Sequence, residues 1–220
     1  MDYIDWVNKV WRHVCLLWNS PEGFKKDKGF NYFHVLGSLR IDETSFTTVE
    51  HNRLHSAIQQ ALQTLAGVDL LRPKDNTNTP YYVISGAGEE CLKAGREVYD
   101  ANWRRNPDSL FNAYPQAKDF LYKLNSLAQI HGPGESYVYL DEGVKASSVW
   151  KALDYPALEG HVPQDRKDLR DLIAALSSGK YIRVHSNSVG DAAISPTFQG
   201  FLVQKLTQDS SGNNYMLHRL

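Results

Sequence analysis

Apolar residues recur at helical spacing in two segments that lie about 110 residues apart. The spacing predicts an amphipathic helix in each segment, with one buried face. Thr47 and Glu50 have the spacing of a capping box and predict where the first helix begins, and Pro163 suits the first turn of the second helix. The apolar positions are Leu54, Ile58, Ala61, Leu62 and Leu65 in the first segment and Leu169, Leu172, Ile173 and Leu176 in the second.

The same order of elements follows each predicted helix. Gly67 and Gly179 stand where a left-handed residue commonly ends a helix. Short apolar runs then flank two polar stretches, residues 74–80 and residues 186–191, which predict the tips of two hairpins. A further helix start follows in each segment, marked by Gly88 and Leu92 and by Gly200 and Leu202. The chain is therefore predicted to contain one structural unit twice.

A long amphipathic helix is also predicted upstream of each unit. Its tryptophans in the first unit are expected to pack in the core, with dimerisation through this helix as a hypothesis. Residues 86–105 are predicted to form a helix, and another is predicted after Pro115. The segment 106–115 is the expected boundary, which divides the chain into domains 1–106 and 107–220. The upstream apolar positions are Trp6, Val7, Val10, Trp11, Val14 and Trp18, then Phe120, Leu121, Leu124, Leu127 and Ala128.

Two stretches resemble winged-helix proteins, in particular many bacterial regulators. LQTLAGVDLLRP followed by YYVISGAGEECL is similar to the turn after a recognition helix, the two wing strands and the next helix. ALSSGKYIRV followed by AAISPTFQGFL is similar to the same region. The resemblance implies an α+β, mostly helical fold with two winged-helix domains in tandem, joined by helices. Residues 68–69 and 154–163 depart from the family pattern, so the second helix of each unit is not placed by it.

Composition limits how the chain can bind nucleic acid. Hydrophobic residues make up 42% of the 220 positions, which is enough for two small cores. The formal net charge is −1, so any contact with phosphates must come from local basic patches. Cys15 and Cys91 are too few for a disulfide framework or a metal site and are expected to be reduced core residues. No membrane span is expected, and the protein is expected to be cytoplasmic.

The exposed face of the first helix is the stronger candidate for reading DNA. The resemblance implies that this helix enters the major groove, where Asn, Gln and Arg can pair with base edges. An ordinary solvated face is the alternative. The second helix alternates positive and negative side chains, which favours a solvated or protein-facing surface. The first face carries His51, Asn52, Arg53, Ser56, Gln59, Gln60 and Gln63, and the second Gln164, Asp165, Arg166, Lys167, Asp168, Arg170 and Asp171.

Basic residues outside these helices are candidates for phosphate contacts. Lys25, Lys26 and Lys28 form a loop that precedes Phe30, Tyr32 and Phe33. Such short clusters also occur simply as solubilising groups. The wings contribute Arg72 and Lys74 in the first unit and Arg183 and His185 in the second, and Arg104 and Arg105 close the helix predicted over residues 86–105. The predicted DNA contacts are Asn52, Arg53, Ser56, Gln59, Gln60, Lys74, Lys25, Lys26, Lys28, Arg166, Lys167 and Arg170.

Motifs for catalysis are weak. His51 and His55 lie one helical turn apart, but Asn52 stands where a zinc protease needs its glutamate. Residues 132–136 and 86–88 are glycine-containing turns that lack the full phosphate-binding and dinucleotide patterns. We therefore expect no enzyme, metal or cofactor. The expected function is transcriptional regulation through double-stranded DNA, with a protein partner or homodimer also considered. The alternative is a non-catalytic subunit that docks proteins in a nucleoprotein or antiviral-defence complex.

Overall fold

The computed structural model describes residues 1–20, 28–75, 77–95, 108–153, 163–188 and 191–209. Unit 1 comprises Met1–Arg104 and Ile130–Tyr139, and unit 2 comprises Arg105–Gln129 and Leu140–Leu220. Both combine helices with small antiparallel sheets, so the predicted α+β class is confirmed. The division into 1–106 and 107–220 stays a prediction, and nothing in the sequence had indicated that residues 130–139 group with unit 1.

The described residues of the first segment of unit 1 form three helices, a hairpin and a fourth helix. The two hairpin strands pair antiparallel. Phe30, between the first two helices, bridges to Tyr82 of the second strand through two hydrogen bonds, of 2.9 and 2.7 Å. Phe30, which lies before the second helix, therefore pairs with the hairpin as a single strand residue. The elements are α1 (Tyr3–Asn19), α2 (Tyr32–Leu39), α3 (Thr48–Gly67), β1 (Leu71–Pro73), β2 (Tyr82–Ile84) and α4 (Gly86–Lys93).

The core of unit 1 lies between α1 and α3. Trp6, Trp11 and Trp18 are only 0%, 3% and 6% exposed, which confirms the predicted core packing of these tryptophans. The Trp6 indole N–H donates to the carbonyl of Ala57 at 3.1 Å and so ties α1 to α3. Burial of each large apolar side chain stabilises the fold by about 1.5–3 kcal/mol. One face of α3 is therefore packed against the core, and the opposite face is available to solvent.

Unit 2 repeats this topology. Its first strand lies before the second of the three helices that correspond to α1, α2 and α3. This strand pairs with the last strand of the unit through Val144 and Ile194. That last strand also pairs with the strand before it, so it lies in the middle of a three-stranded sheet. An additional short helix lies in the expected boundary segment. The elements are α5 (Asp108–Ala113), α6 (Ala117–Ala128), β5 (Val144–Lys145), α7 (Ala146–Lys151), α8 (Pro163–Ser178), β6 (Ile182–Ser188), β7 (Asp191–Pro196) and α9 (Phe198–Asp209).

A further hairpin supplies the second segment of unit 1. It consists of β3 (Gln129–His131) and β4 (Val138–Leu140), with a 3-10 turn at Pro133–Glu135. The turn at residues 132–136 was predicted, but its two strands were not. A Cβ on Gly132 would lie 1.9 Å from the Tyr137 ring, so this close approach requires glycine.

The prediction that a left-handed glycine ends both α3 and α8 is wrong. Asp69 (φ 60°) and Lys180 (φ 62°) adopt that conformation instead, and neither Gly67 nor Gly179 does. Each helix closes with the same pair of backbone hydrogen bonds, as in a Schellman motif. Gly179 is needed because a Cβ there would lie 2.6 Å from the Tyr181 ring. The bonds are Leu70 N to Leu65 O and Asp69 N to Ala66 O in unit 1, and Tyr181 N to Leu176 O and Lys180 N to Ser177 O in unit 2.

Two predicted element lengths also need correction. The helix expected over 86–105 ends at Lys93, and Gly95 has a left-handed φ of 62° that is incompatible with its continuation. Residues 96–105 lie outside the described part. The second hairpin tip is shorter than residues 186–191, because β6 continues to Ser188 and β7 begins at Asp191.

Candidate nucleic-acid interface

The start of α3 is fixed by the predicted capping box. The Thr47 backbone N–H donates to Glu50 Oε2 at 2.7 Å, and the Glu50 N–H donates to Thr47 Oγ1 at 3.3 Å. The hydrogen bonds from Thr47 lower the pKa of the Glu50 carboxyl. Its negative charge at the helix N-terminus is also favourable to the helix dipole. The position of the first turn of α3, and of the face that follows, is thereby set locally.

The predicted reading residues lie together on the face of α3 opposite the core. Asn52 and Arg53 are exposed, and Ser56, Gln59 and Gln60 are half-buried. Residues 52, 56 and 59 follow one another at i, i+4 and i+7, so they form a single row along the helix. Gln63 is exposed and continues this row.

The charge along this face favours an anionic partner. From Asn52 to the end of α3 at Gly67 there is no carboxylate, whereas there is one guanidinium, on Arg53, and one imidazole, on His55. The nearest upstream carboxylate is Glu50 of the capping box, and the two carboxylates before it also make local hydrogen bonds. Glu43 Oε2 lies 2.9 Å from His51 Nδ1, and Asp42 Oδ1 accepts from the Thr44 hydroxyl at 2.7 Å.

The β1–β2 hairpin adds exposed cations. Arg72 and Lys74 are both exposed, and the Lys74 backbone N–H donates to the carbonyl of Tyr81 at 2.7 Å. Unit 2 carries Arg183 at the equivalent strand position, also exposed. In each unit this arginine follows the first paired residue of the strand, Leu71 opposite Ile84 and Ile182 opposite Pro196.

The remaining predicted contacts are distributed unevenly. Lys28 is exposed, whereas Lys25, Lys26, Arg104 and Arg105 lie outside the described residues. On α8, Lys167 and Arg170 are exposed, but Asp171 is exposed beside them and Asp168 is half-buried. The mixed charge predicted for this helix is therefore present among its described side chains. Gln164, Asp165 and Arg166 belong to α8, and their side chains lie outside the described part.

Aromatic rings beside the α3 face form a further candidate site that the sequence pattern does not predict. The Tyr32 and Phe33 rings, on the first turn of α2, have centroids 4.0 Å apart at an interplanar angle of 31°. The His55 ring of α3 lies 5.4 Å from Tyr32 and 6.5 Å from Phe33. We call these three rings the aromatic cluster. Phe33 is 56% exposed while nearby Phe30 is fully buried, and their order in sequence does not reveal which ring faces outward.

Tyr137 supports the first turn of α3 from the core side. It is fully buried, and its hydroxyl donates to the carbonyl of Glu50 at 3.1 Å. Its ring meets Trp6 edge-on at 6.5 Å and lies 6.2 Å from Phe46. Burial, and then the negative charge of Glu50, raise the pKa of the Tyr137 phenol. The hydroxyl therefore stays protonated and can keep donating.

A pocket of about 370 Å³ lies between α1 and α4 in unit 1. Both cysteines border it, together with Asn8 and Arg12. Burial, reinforced by the nearby Cys91, raises the pKa of the Cys15 thiol to about 12. Both cysteines are free thiols, Cys91 buried and Cys15 half-buried, so Cys91 fits the predicted core position better than Cys15.

The described residues contain neither a cluster that could hold a metal ion nor a helix that could span a membrane. The His51 and His55 rings lie 6.5 Å apart, but no group of three or more His, Cys, Asp or Glu side chains in this part could hold a metal ion. None of its helices combines the length and the apolar character needed to cross a membrane.

The chain matches no protein-family model, and comparison with curated proteins and with solved structures gives no match either. A functional assignment therefore rests on the residues of the two units.

Proposed function

We propose that the protein binds double-stranded DNA through unit 1 and acts as a regulator of transcription. In this proposal both units are winged-helix domains in tandem, and α3 enters the major groove. The proposed activity is binding alone, without catalysis.

The order of elements supports the winged-helix part of the proposal. In both units a helix, a strand position, two helices, two strands and a last helix follow one another. The early strand position pairs with the last strand in both, at Phe30 with Tyr82 and at Val144 with Ile194. In helix-turn-helix proteins of this kind, the recognition helix presents its side chains to base edges in the major groove.

The composition of the α3 face is the observation that carries the proposal. A solvated helix face commonly carries many charges of both signs. Beyond Glu50, α3 instead presents amide and guanidinium groups on one face, including Asn52, Arg53 and Gln59. These groups can make paired hydrogen bonds to adenine and guanine. The exposed Arg72 and Lys74 are cations suited to the phosphates.

Selection from random DNA duplexes at low salt, followed by fluorescence anisotropy on the enriched sequence, tests the proposal. We expect Arg53→Ala to weaken binding to that sequence by roughly 5- to 150-fold, because a base contact contributes about 1–3 kcal/mol. Lys74→Ala is expected to weaken binding to all sequences and to reduce the salt dependence by about one phosphate contact.

Arg170→Ala is the charge-matched control, since Arg170 is an exposed arginine on α8 of unit 2. Its affinity is expected to stay within about twofold of the wild type, well below the loss of one base contact. If no duplex binds at low salt, the proposal fails. Equal losses for Arg53→Ala and Arg170→Ala would remove the assignment of base reading to unit 1.

A second candidate function is protein docking by unit 2 within a larger assembly. The described part of the α8 face favours it, because exposed Lys167 and Arg170 alternate with exposed Asp171. Alternating charges can match a protein of mixed charge better than a row of phosphates. A stable partner that copurifies with the chain and is lost with the charge reversal Arg170→Glu would support docking. Retention of the partner by that variant would remove α8 as its docking surface.

A further inference from the structure

The aromatic cluster of Tyr32, Phe33 and His55 is held in place by the packing of α2 and α3. The buried residues of α2 are Val35 and Leu39, so Phe33 is not part of the core face of its own helix. The ring centroids of Phe33 and Tyr32 nevertheless lie 4.0 Å apart, and the Phe33 side chain is 56% exposed. An aromatic ring that is positioned by neighbouring rings and still exposed is typical of a binding surface.

The cluster adjoins the proposed reading face of α3. His55 lies on α3 one residue before Ser56 and one turn before Gln59. Its ring contacts both Tyr32 and Phe33. A ligand that lies along Asn52, Ser56 and Gln59 therefore passes close to the aromatic rings.

The charged and neutral groups beside the cluster favour a nucleic acid over a protein as its ligand. The α3 segment beside the cluster carries Arg53 and no carboxylate from Asn52 onward. Burial lowers the pKa of the neighbouring His34 imidazole and raises that of the Tyr32 phenol, so both groups are neutral at neutral pH. Neutral aromatic rings beside amide, imidazole and guanidinium groups suit the flat face of a base next to a phosphate chain.

A base inside a regular duplex cannot use this surface. Both of its faces are covered by the neighbouring base pairs, so only an edge is accessible in the groove. Unpaired or flipped bases expose a face, and stacking on aromatic side chains is the common way of binding them.

We infer that the DNA recognised by unit 1 includes an unpaired base beside the duplex, and that this base stacks on the aromatic cluster. The inference rests on the proposed function, since the duplex next to the base is held by α3. Phe33 supplies the exposed stacking surface, with Tyr32 and His55 behind it. Such DNA includes bulged duplexes and junctions between a duplex and a single strand.

Fluorescence anisotropy with two kinds of DNA probe, a regular duplex and bulged duplexes, tests the inference. All probes share one sequence, obtained by selection, and the bulged duplexes carry in addition a single-base bulge placed at successive positions. We expect one bulged probe to bind the wild type more tightly than the regular duplex does. Phe33→Leu keeps an apolar side chain but loses the ring, and it should remove this preference, a loss of about 5- to 150-fold for one stacked base. Its affinity for the regular duplex should be unchanged.

Tyr122→Leu is the matched control, because Tyr122 is an aromatic residue of unit 2 that is 49% exposed. It should retain the wild-type preference. Equal wild-type affinity for all probes, or an equal loss on both probes in Phe33→Leu, would overturn the inference and leave the proposed function standing. Binding to no probe would overturn both. Self-association that depends on Phe33, with unchanged DNA binding, would assign the cluster to a protein contact instead.

Discussion

Ser85 and Thr197 make the same four hydrogen bonds in the two units. Each hydroxyl accepts from the backbone N–H of a glycine three residues later, Gly88 at 2.9 Å and Gly200 at 3.2 Å. Each hydroxyl also donates to the carbonyl of a left-handed residue at a helix end, which is Asp69 after α3 for Ser85 and Lys180 after α8 for Thr197. The two backbone bonds match as well, from Ser85 N to Leu70 O and Glu89 N to Ser85 O, and from Thr197 N to Tyr181 O and Phe201 N to Thr197 O. The repeat therefore extends to individual atoms.

Replacement of the two equivalent glycines should destabilise their units to a similar degree. A Cβ on Gly88 would lie 2.2 Å from the Leu70 carbonyl oxygen, and one on Gly200 would lie 2.3 Å from that of Tyr181. We expect Gly88→Ala and Gly200→Ala each to lower the free energy of unfolding by about 1–3 kcal/mol or more. Urea denaturation measures the loss. Gly86→Ala is the control, because nothing lies within 4 Å of its Cβ position; a similar loss there would contradict the explanation.

Tyr137 should stabilise unit 1 through both its hydroxyl and its ring. Tyr137→Phe removes only the hydrogen bond to the Glu50 carbonyl and should cost about 0.5–1.5 kcal/mol. Tyr137→Ala also removes the ring packed against Trp6 and should cost about 3–5 kcal/mol, by analogy with buried phenylalanine. Thermal unfolding distinguishes the two variants, with exposed Tyr122→Phe as the control. Equal stability of Tyr137→Ala and the wild type would show that the ring does not stabilise unit 1.

Acid should weaken the start of α2 through His34. The Asn31 backbone N–H donates to His34 Nδ1 at 3.1 Å, an interaction that requires this nitrogen to be unprotonated. Burial lowers the pKa of His34 from the ordinary value of 6.5. The unfolded chain therefore binds the proton first, and the stability contributed by His34 is complete above about pH 6.5 and declines as the pH falls toward the lowered folded-state pKa.

His34→Gln tests this dependence, because glutamine at the same capping position can accept the hydrogen bond at any of these pH values. We expect the drop in melting temperature between about pH 7.5 and pH 5 to be smaller in this variant than in the wild type. Burial also lowers the pKa of His13, so part of the drop should remain. His131→Gln, at an exposed position, is the control. An unchanged drop in His34→Gln would exclude a role for this imidazole.

Cys15 should react slowly with alkylating reagents in the folded protein. A thiol whose pKa is about 12 is ionised in only about one molecule in 10,000 at pH 8, and the thiolate is the reactive form. Cys91→Ser isolates Cys15 for measurement with iodoacetamide. Labelling should be at least ~100-fold slower in buffer than in concentrated urea, where the ordinary pKa of about 8.5 returns. Equal rates would show that Cys15 is not shielded by the fold.

Local signals in the sequence predicted much of the fold. The capping box at Thr47 and Glu50 marked the start of α3, and the proline at 163 marked the start of α8. The polar face of α3 was also predicted, because the buried positions such as Leu54 and Ile58 determine which side remains exposed. These features depend on residues within a few turns of one another, so periodicity and capping rules suffice.

Features that depend on distant residues were not predicted. Gly179 was assigned a left-handed conformation, but its role is to admit the Tyr181 ring, which only the folded backbone reveals. The sequence places Phe30, Tyr32 and Phe33 close together, but only the bridge between Phe30 and Tyr82 shows that Phe30 is the buried ring while Phe33 is exposed. No local rule placed Tyr137 beside Glu50, because 87 residues separate them.

The membership of residues 130–139 in unit 1 affects how the protein can be made. Synthesis on the ribosome proceeds from the N-terminus, and domains generally fold as they emerge. The core of unit 1 is completed late in synthesis, because Tyr137, which lies against Trp6 and Phe46, is added only after α6 has been translated. Until then the ring contacts of Tyr137 with Trp6 and Phe46 cannot form. Termination of translation ahead of this hairpin would release a product that lacks these core contacts.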